Sequence, residues 1–365
     1  MQSAEAIAKE LQRHLKGAVH GDELYRYMYS SDASIFKVVP LCVAMPRDAE
    51  DVLAAIDYAR REGLPIIARG AGSSRCGQPL GEAIILDLSV HLNQVLEINP
   101  DQGYVRVQPG VVLADLNRAL KPSGKFFAPD PSSGDWCTLG GMIANNASGA
   151  HTGKYGTTKR HVLALDAVLA NGQAFRTQRL AWDGPELARL RAERSREGEI
   201  YRGVAALLEA HQVRLQARRP QVRKDVCGYN LYEVRENGAF DLSQLLVGSE
   251  GTLAVVTEAM LRILDLPKAK ALALVTFDRL EAVGPAVCQL LEWGASMMEF
   301  VEATLLAIAR KGDPALDAFL PRDLECALIV EFDGAERAQV EEQIRRMEHV
   351  LVGELGLASA VKPAP

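Results

Sequence analysis

The chain has 365 residues, 48% of them hydrophobic and 24% charged, which is the balance of a globular protein with room for two or three domains. A net charge of -6 disfavours a nucleic-acid partner, because a duplex binder carries a concentrated basic face. No apolar run approaches the ~20 residues of a membrane span.

The N-terminus, MQSAEAIAKELQRHLKG, has the pattern of an amphipathic helix and no signal-peptide apolar region. An irregular stretch follows to residue 45. In PRDAEDVLAAIDYARREG, Asp48 is placed to cap a helix whose Val52, Ile56 and Ala59 share one face. LPIIARG reads as a short buried strand running into the loop RGAGSSRCGQP. From Gly72 this loop begins like a Walker A motif, Gly and four residues to Gly77, but Gln78 and Pro79 replace its Lys and hydroxyl residue. Counted from Gly70, the dinucleotide fingerprint also fails, since Arg75 stands where its third Gly belongs.

AIILDLS and YVRVQPG are two further strands, and VVLADLNRALKPSG is a helix closed by Gly124. Alternating strands and helices indicate an α/β or α+β arrangement. From 126 to 160, Gly, Ser, Thr, Asn and Pro fill about half the positions, as in a long functional loop. HVLALDAVLANGQAFRT is a hairpin around Asn171-Gly172. Residues 179–220 read as charged helices in a surface insertion, with Glu interrupting the Arg and Lys of its first half. DLSQLLVGSEGTLAVVTEAMLRILDLP returns to core, with a turn at Gly248-Ser-Glu-Gly251. Beyond Pro267 the order is βαββα with a last strand begun, most of a ferredoxin-like unit.

Six cysteines (Cys42, Cys76, Cys137, Cys227, Cys288 and Cys326) are scattered with no CxxC pair, so iron–sulfur and structural zinc sites are not encoded. They read as reduced thiols of a cytoplasmic protein.

Three Gly/Ser-rich turns therefore stand out, at 69–78, 130–156 and 248–251, each beside a core strand. Such turns let backbone N–H groups approach an anion closely, and Ser73, Ser74, Ser132, Ser133, Thr138 and Ser148 add hydroxyls. With no Lys in the first loop, ATP hydrolysis is disfavoured. A diphosphate held passively fits better, hence a bound dinucleotide whose identity the turns leave open.

The segments GLPIIARGAGSSRCGQPLG, VRVQPGVVLADLNRAL, FFAPDPSSGDWCTLGGMIANNASGAHTGKYGTT, KDVCGYNL and LLVGSEGTLAVVTEA resemble the FAD-linked oxidases of the vanillyl-alcohol oxidase/p-cresol methylhydroxylase type. Within these, the order and spacing over residues 20–310 are most similar to the glycolate oxidase/D-lactate dehydrogenase branch. YRYMYSSDASIFKVVPLCVAMP looks most like its large members, which are fused to an iron–sulfur domain. The resemblance implies that Arg69, Gly70, Ala71, Gly72, Ser73 and Ser74 cradle the FAD pyrophosphate, with Gln78 close by. Asp130, Pro131, Ser132 and Ser133 would lie along the flavin. Thr138, Gly140, Gly141, Asn145, Asn146, Ser148 and Gly149 would surround flavin and ribityl chain, followed by Tyr155 and Gly156. Glu250, Gly251 and Val255 would reach the adenine half. The first loop lacks the His through which some relatives attach FAD, which implies a noncovalent flavin; Cys76 and Cys137 leave a thioether as the alternative. Lys224 and Tyr229 match a segment near the substrate side.

The implied fold is α+β: a two-subdomain FAD-binding fold over 46–267, after a lead-in over 1–45, with an incomplete ferredoxin-like cap over 268–365. The implied function is oxidation of a 2-hydroxy acid such as D-lactate or glycolate by hydride transfer to flavin N5. An iron–sulfur domain or subunit would accept the electrons, in the cytoplasm or peripherally at the inner membrane. The catalytic base stays unassigned: the family's HxGDGNxH segment is missing, the seven histidines are dispersed, and only His151 flanks a flavin segment closely enough to watch. The chain is thus expected to be a piece of a longer one. Its rivals are a non-catalytic FAD-binding subunit of a glycolate-oxidase-like complex and, on the same fold, an alditol-type oxidase or a MurB-like reductase.

Overall fold

The computed structural model describes residues 3–222, 224–312, 314–320 and 324–364. The chain divides into two compact units. The first takes Met1–Phe127, Pro131–Ala147 and Thr157–Leu264; the second takes Ala128–Asp130, Ser148–Gly156 and Asp265–Pro365.

The first unit has two main sheets of four and five strands, and a small three-stranded one. In the four-stranded sheet, the strands Cys42–Ala44, Ile84–Asp87 and Ile66–Arg69 run parallel, and Val19–His20 adds an antiparallel edge. Parallel neighbours need a crossover, and Ala49–Glu62 supplies one. Asp48 caps that helix by accepting from Asp51 N at 3.0 Å, and its Val52, Ala55, Ile56 and Ala59 are buried under the sheet. The central strand Ile84–Asp87 is buried throughout, whereas Ile66–Arg69 is only half-buried because it borders a cavity.

The larger sheet has five antiparallel strands in the order Val95–Asn99, Tyr104–Val107, Ala254–Arg262, Val162–Leu169, Ala174–Arg176. Ala254–Arg262 alternates between buried and half-buried, the period-2 signature of a sheet with one face on the core. The hairpin turns at Asn171-Gly172 as its dipeptide dictates, with Val168 opposite Ala174. Val95–Asn99 has no counterpart in the expected elements.

Two expectations need correction. Residues 179–220 are helical at Pro185–Ala192 and Arg196–Arg218, but they begin with a strand, Arg179–Ala181, paired to Ala239–Asp241. Their Leu187, Leu190, Tyr201, Ala205 and Leu208 sit in the unit's main core, so charge covers only one face and this is no mere surface insertion. The stretch 126–160 is not all loop either. Thr138 caps a short helix, Leu139–Ala144, that buries Leu139, Met142 and Ile143, and a second turn of helix runs Thr152–Tyr155.

The second unit carries a four-stranded antiparallel sheet in the order Met297–Glu302, Cys326–Gly334, Ala269–Phe277, Ala360–Pro363. Helices Val283–Glu292 and Arg337–Glu348 bury Leu290, Val340, Ile344 and Met347 against Val275, Phe277, Leu328 and Val330. This is the ferredoxin-like order. Its last strand, left open in the sequence reading, closes it by pairing with Ala273–Thr276. Helices Ala303–Gly312 and Pro314–Phe319, inserted before the third strand, were not expected. Among the described residues, no helix is long and apolar enough to cross a membrane.

Candidate functional site

The first unit holds a cavity of about 380 Å³, within the size range of small-ligand pockets. Three stretches meet around it. The first is the loop after the edge strand: Arg69, Gly70, Ala71, Gly72, Ser73, Ser74 and Gln78 all line the cavity. Its tightness is set by Thr138, since a Cβ at Gly70 would lie 2.0 Å from the Thr138 hydroxyl oxygen. The second stretch contributes Pro131, Ser133, Thr138, Gly140, Gly141 and Asn145. The third contributes Glu250, Gly251 and Val255.

The third turn is fastened to the second stretch by its backbone. Gly248 N donates to Ile143 O at 2.9 Å and Glu250 N donates to Ala144 O at 2.8 Å. Glu250 holds a left-handed backbone with φ 52°, a strained conformation for a non-glycine residue, and accepts from Gln78 Nε2 at 3.2 Å. That contact ties the first loop to the third.

Among the described residues, Arg69 is the one cation in the lining, and its guanidinium is occupied elsewhere. It donates to Tyr29 O at 3.2 Å and Ser31 O at 2.9 Å, while Ala33 N donates to Gly72 O at 3.2 Å. Behind it Tyr29 donates to the buried Asp87 at 2.5 Å. The side chain of Arg69 thus anchors the lead-in, and its backbone faces the cavity. What the cavity offers is N–H groups, the hydroxyls of Ser73, Ser74, Ser133 and Thr138, and apolar walls from Ile66, Leu88, Met142 and Leu246. That donor set suits a passively held diphosphate and a flat apolar ring system. Cys137 also lines it, buried, with its thiol pushed up by desolvation; Cys76 is exposed and does not line it.

The other expected residues lie elsewhere. Ser132 is exposed outside the lining. Asn146 is buried, in a left-handed conformation, and both ends of its amide bond internally: Oδ1 accepts from Lys159 N at 2.9 Å and Nδ2 donates to Asp225 O at 3.4 Å. Lys224 is exposed, and Tyr229 reaches the cavity rim through a 2.7 Å hydrogen bond between its hydroxyl and that of Thr252. Pro109, Ser249 and Thr252 also line the cavity, though the motifs VRVQPG and GSEGT that contain them did not mark them as site residues.

Asp130, Ser148, Gly149, Tyr155 and Gly156 belong to the second unit. There His151 is bracketed by two carboxylates, Nδ1 to Asp130 Oδ2 at 2.6 Å and Nε2 to Glu331 Oε1 at 2.9 Å. Only the imidazolium donates from both nitrogens. Its pKa is accordingly raised from 6.5 to about 9 by the Asp130 and then the Glu331 hydrogen bond, against the opposing effect of burial. Burial pushes the Glu331 carboxyl up, but His151 and Lys270 outweigh it and hold it down to about 2. Ser296 also donates to Glu331, and Tyr155 donates to Asp333 at 2.5 Å beside Lys154. No cluster of three or more His, Cys, Asp or Glu among the described residues is arranged to hold a metal.

Comparison with known proteins agrees with this donor set. Residues 40–178 match the FAD binding domain, and residues 266–362 match the C-terminal domain of FAD linked oxidases. D-2-hydroxyglutarate dehydrogenase of Escherichia coli (strain K12) is 36% identical over 333 residues, covering 88% of this chain and 32% of the relative. Glycolate oxidase subunit GlcD of Bacillus subtilis (strain 168) is 30% identical over 331 residues, covering 89% of this chain and 58% of the relative. The structure of alkyldihydroxyacetonephosphate synthase superposes with a TM-score of 0.71 at 18% identity, over 100% of this chain and 62% of that one, which shows a shared fold. The chain spans about a third of the length of the dehydrogenases it matches.

Proposed function

This chain belongs to the FAD-linked oxidases, and we propose that its cavity holds FAD noncovalently for the oxidation of a 2-hydroxy acid such as D-lactate, glycolate or D-2-hydroxyglutarate. The observation that carries this reading is the meeting of three glycine-rich turns around one cavity that offers backbone and hydroxyl donors and apolar walls. Arg69 to Ser74 and Gln78 would hold the pyrophosphate, the stretch from Pro131 to Asn145 the flavin side, and Glu250, Gly251 and Val255 the adenine side. The same reading keeps 46–267 as the FAD-binding domain and 268–365 as the cap. When bound, FAD supplies the acceptor for a hydride leaving the substrate α-carbon.

The chain's own residues position and exclude. Burial keeps the Cys137 thiol protonated, which argues against a thioether through the one cysteine in the lining. By resemblance, Lys224 and Tyr229 would stand on the substrate side, with Tyr229 tied to the rim at Thr252. By resemblance alone, Asp130, Ser148, Gly149, Tyr155 and Gly156 stay proposed flavin contacts. We read the six free cysteines as thiols of a cytoplasmic protein that passes electrons to an iron–sulfur domain or subunit.

The test is the visible spectrum of the purified chain before and after acid precipitation. Flavin bands that move to the supernatant are expected, and Gly70→Val, which drives a side chain into Thr138, is expected to abolish them. A colourless chain that takes up no added FAD would refute the assignment. One relative is named a subunit, which supports a second reading as the FAD-binding subunit of a larger oxidase. Bleaching of the bound flavin by D-lactate would favour the enzyme, and retained colour the subunit.

A further inference from the structure

The loop 220–229, which carries Lys224 and Tyr229, has neither helix nor strand in its described residues, and most of them are exposed, Val222 by 63% and Tyr229 by 48%. Little packing holds it, so its conformation depends on what fixes its ends. Both ends stand on one carboxylate. At the start, Arg219 donates to Glu233 Oε1 at 3.3 Å and to Glu236 at 2.7 Å. At the finish, Asn230 Nδ2 donates to Glu233 Oε2 at 3.0 Å and to Gln244 at 3.3 Å.

Glu233 is itself held from below. Its side chain is 7% exposed, with Lys159 Nζ at 3.4 Å, also 7% exposed, and Arg160 at 2.9 Å. Lys159 belongs to the segment that follows the flavin stretch: its N–H binds Asn146 and its carbonyl accepts from Gln244 at 3.2 Å. Asn146 in turn holds the loop's Asp225 carbonyl, and Tyr229 bonds the cavity rim at Thr252. The described residues of the loop, 220–222 and 224–229, thus form an arch with two feet on Glu233, one tie to Asn146 and one to the cavity rim at Thr252.

We infer that Glu233 is the positioning residue of the arch 220–229, fixing where Lys224 and Tyr229 stand relative to the cavity. This rests on the proposed substrate-side role of those two residues. A buried carboxylate shared by both feet couples them, so that releasing one loosens the other. A merely structural ion pair would instead spread its loss over the whole unit.

Two variants of the FAD-loaded full chain test this. Glu233→Gln removes the charge and keeps the shape, and Arg219→Gln frees one foot on a partly exposed side chain, which keeps the test open should the first variant fail to fold. Hydrogen exchange in peptides covering 220–229 is expected to rise at least about tenfold, as for the loss of one charge-assisted contact. Peptides over 139–145 and FAD affinity are expected to stay at wild-type values, and the Kd for D-lactate, followed by flavin absorbance, to rise. Unchanged exchange over 220–229 in both variants would overturn the inference. Faster exchange with an unchanged Kd would leave the arch standing and remove Lys224 and Tyr229 from the substrate side.

Discussion

Two carboxylates, the buried Glu233 in the first unit and the half-buried Glu331 in the second, do the same mechanical work with different chemistry. Each gathers segments far apart in sequence. Glu233 is ringed by Lys159, Arg160 and Arg219, and Glu331 by His151, Lys270 and Ser296. Burial pushes the Glu233 carboxyl up, but Asn230, Lys159 and Arg160 outweigh it and its pKa falls below the ordinary range. The first cluster is built on lysine and arginine, whereas the second depends on an imidazole that titrates. A carboxylate largely out of contact with bulk water takes its pH range from its partners.

The largest effect is expected where one removal takes a carboxylate from two cations at once. Glu331→Ala strips the carboxylate from Lys270 and one of two from His151, leaving positive charge in a half-buried site. Loss of about 2–3 kcal/mol is expected, the scale of one hydrogen bond between charged groups plus a half-exposed ion pair. Denaturant unfolding followed by a probe in the second unit, such as Trp293, checks it. A loss below about 1 kcal/mol would make the two clusters alike and end the contrast.

Next comes His151→Gln. The groups facing His151 are Asp130 and Glu331, with Tyr155 beside it and Lys270, Lys154 and Asp333 behind. Its folded pKa of about 9 lies above the unfolded 6.5, so its contribution is full below 6.5 and is lost as pH rises through 9. At pH 7 that is on the order of 2 kcal/mol. Glu331 has the opposite sign: its contribution is present above the unfolded carboxylate pKa and lost as pH falls through about 2. The melting temperature of the wild type should therefore fall between pH 6.5 and 9 more steeply than that of the variant. Parallel pH profiles would show that His151 does not carry the dependence.

Lys159→Met should cost less, about 1–2 kcal/mol, because Arg160 and Arg219 remain on Glu233. Its signature is a difference from wild type that stays flat from pH 5 to 9. The depressed carboxyl of Glu233 stabilises above the unfolded pKa of ~4.3 and loses that only as pH falls through its folded value. A cost that changes between pH 6 and 9 would place a titrating partner in the first cluster as well.

What the sequence made legible follows the range of the interactions. The helix over Ala49–Glu62, the hairpin at Asn171-Gly172 and the ferredoxin-like order rest on contacts close in sequence or on simple periodicity. The three glycine-rich turns show because composition marks them, and they do border one cavity. The clusters were invisible: His151 and Glu331 are 180 residues apart, and Arg160 and Glu233 are 73 apart. Asn146 shows the limit of motif reading. Its place in a flavin motif made it an expected cofactor contact, yet its amide bonds Lys159 and Asp225. Arg69 likewise sits in the phosphate loop and turns its guanidinium to Tyr29 and Ser31.

The smallest effects should come from the rim cations, which are matched between the two clusters. Lys270 stands 3.2 Å from Glu331 with its side chain 50% exposed, and Arg160 stands 2.9 Å from Glu233 at 52%. Water screens each head group, and neither is the sole partner of its carboxylate. Lys270→Met and Arg160→Met should each cost about 0.5–1 kcal/mol, shrinking further at high salt. If the two costs agree, the clusters differ only in their buried partners, imidazole against ammonium. If Arg160→Met costs several times more, the half-exposed guanidinium helps to hold Glu233 under the arch, and the feet of the loop reach to the surface of the first unit.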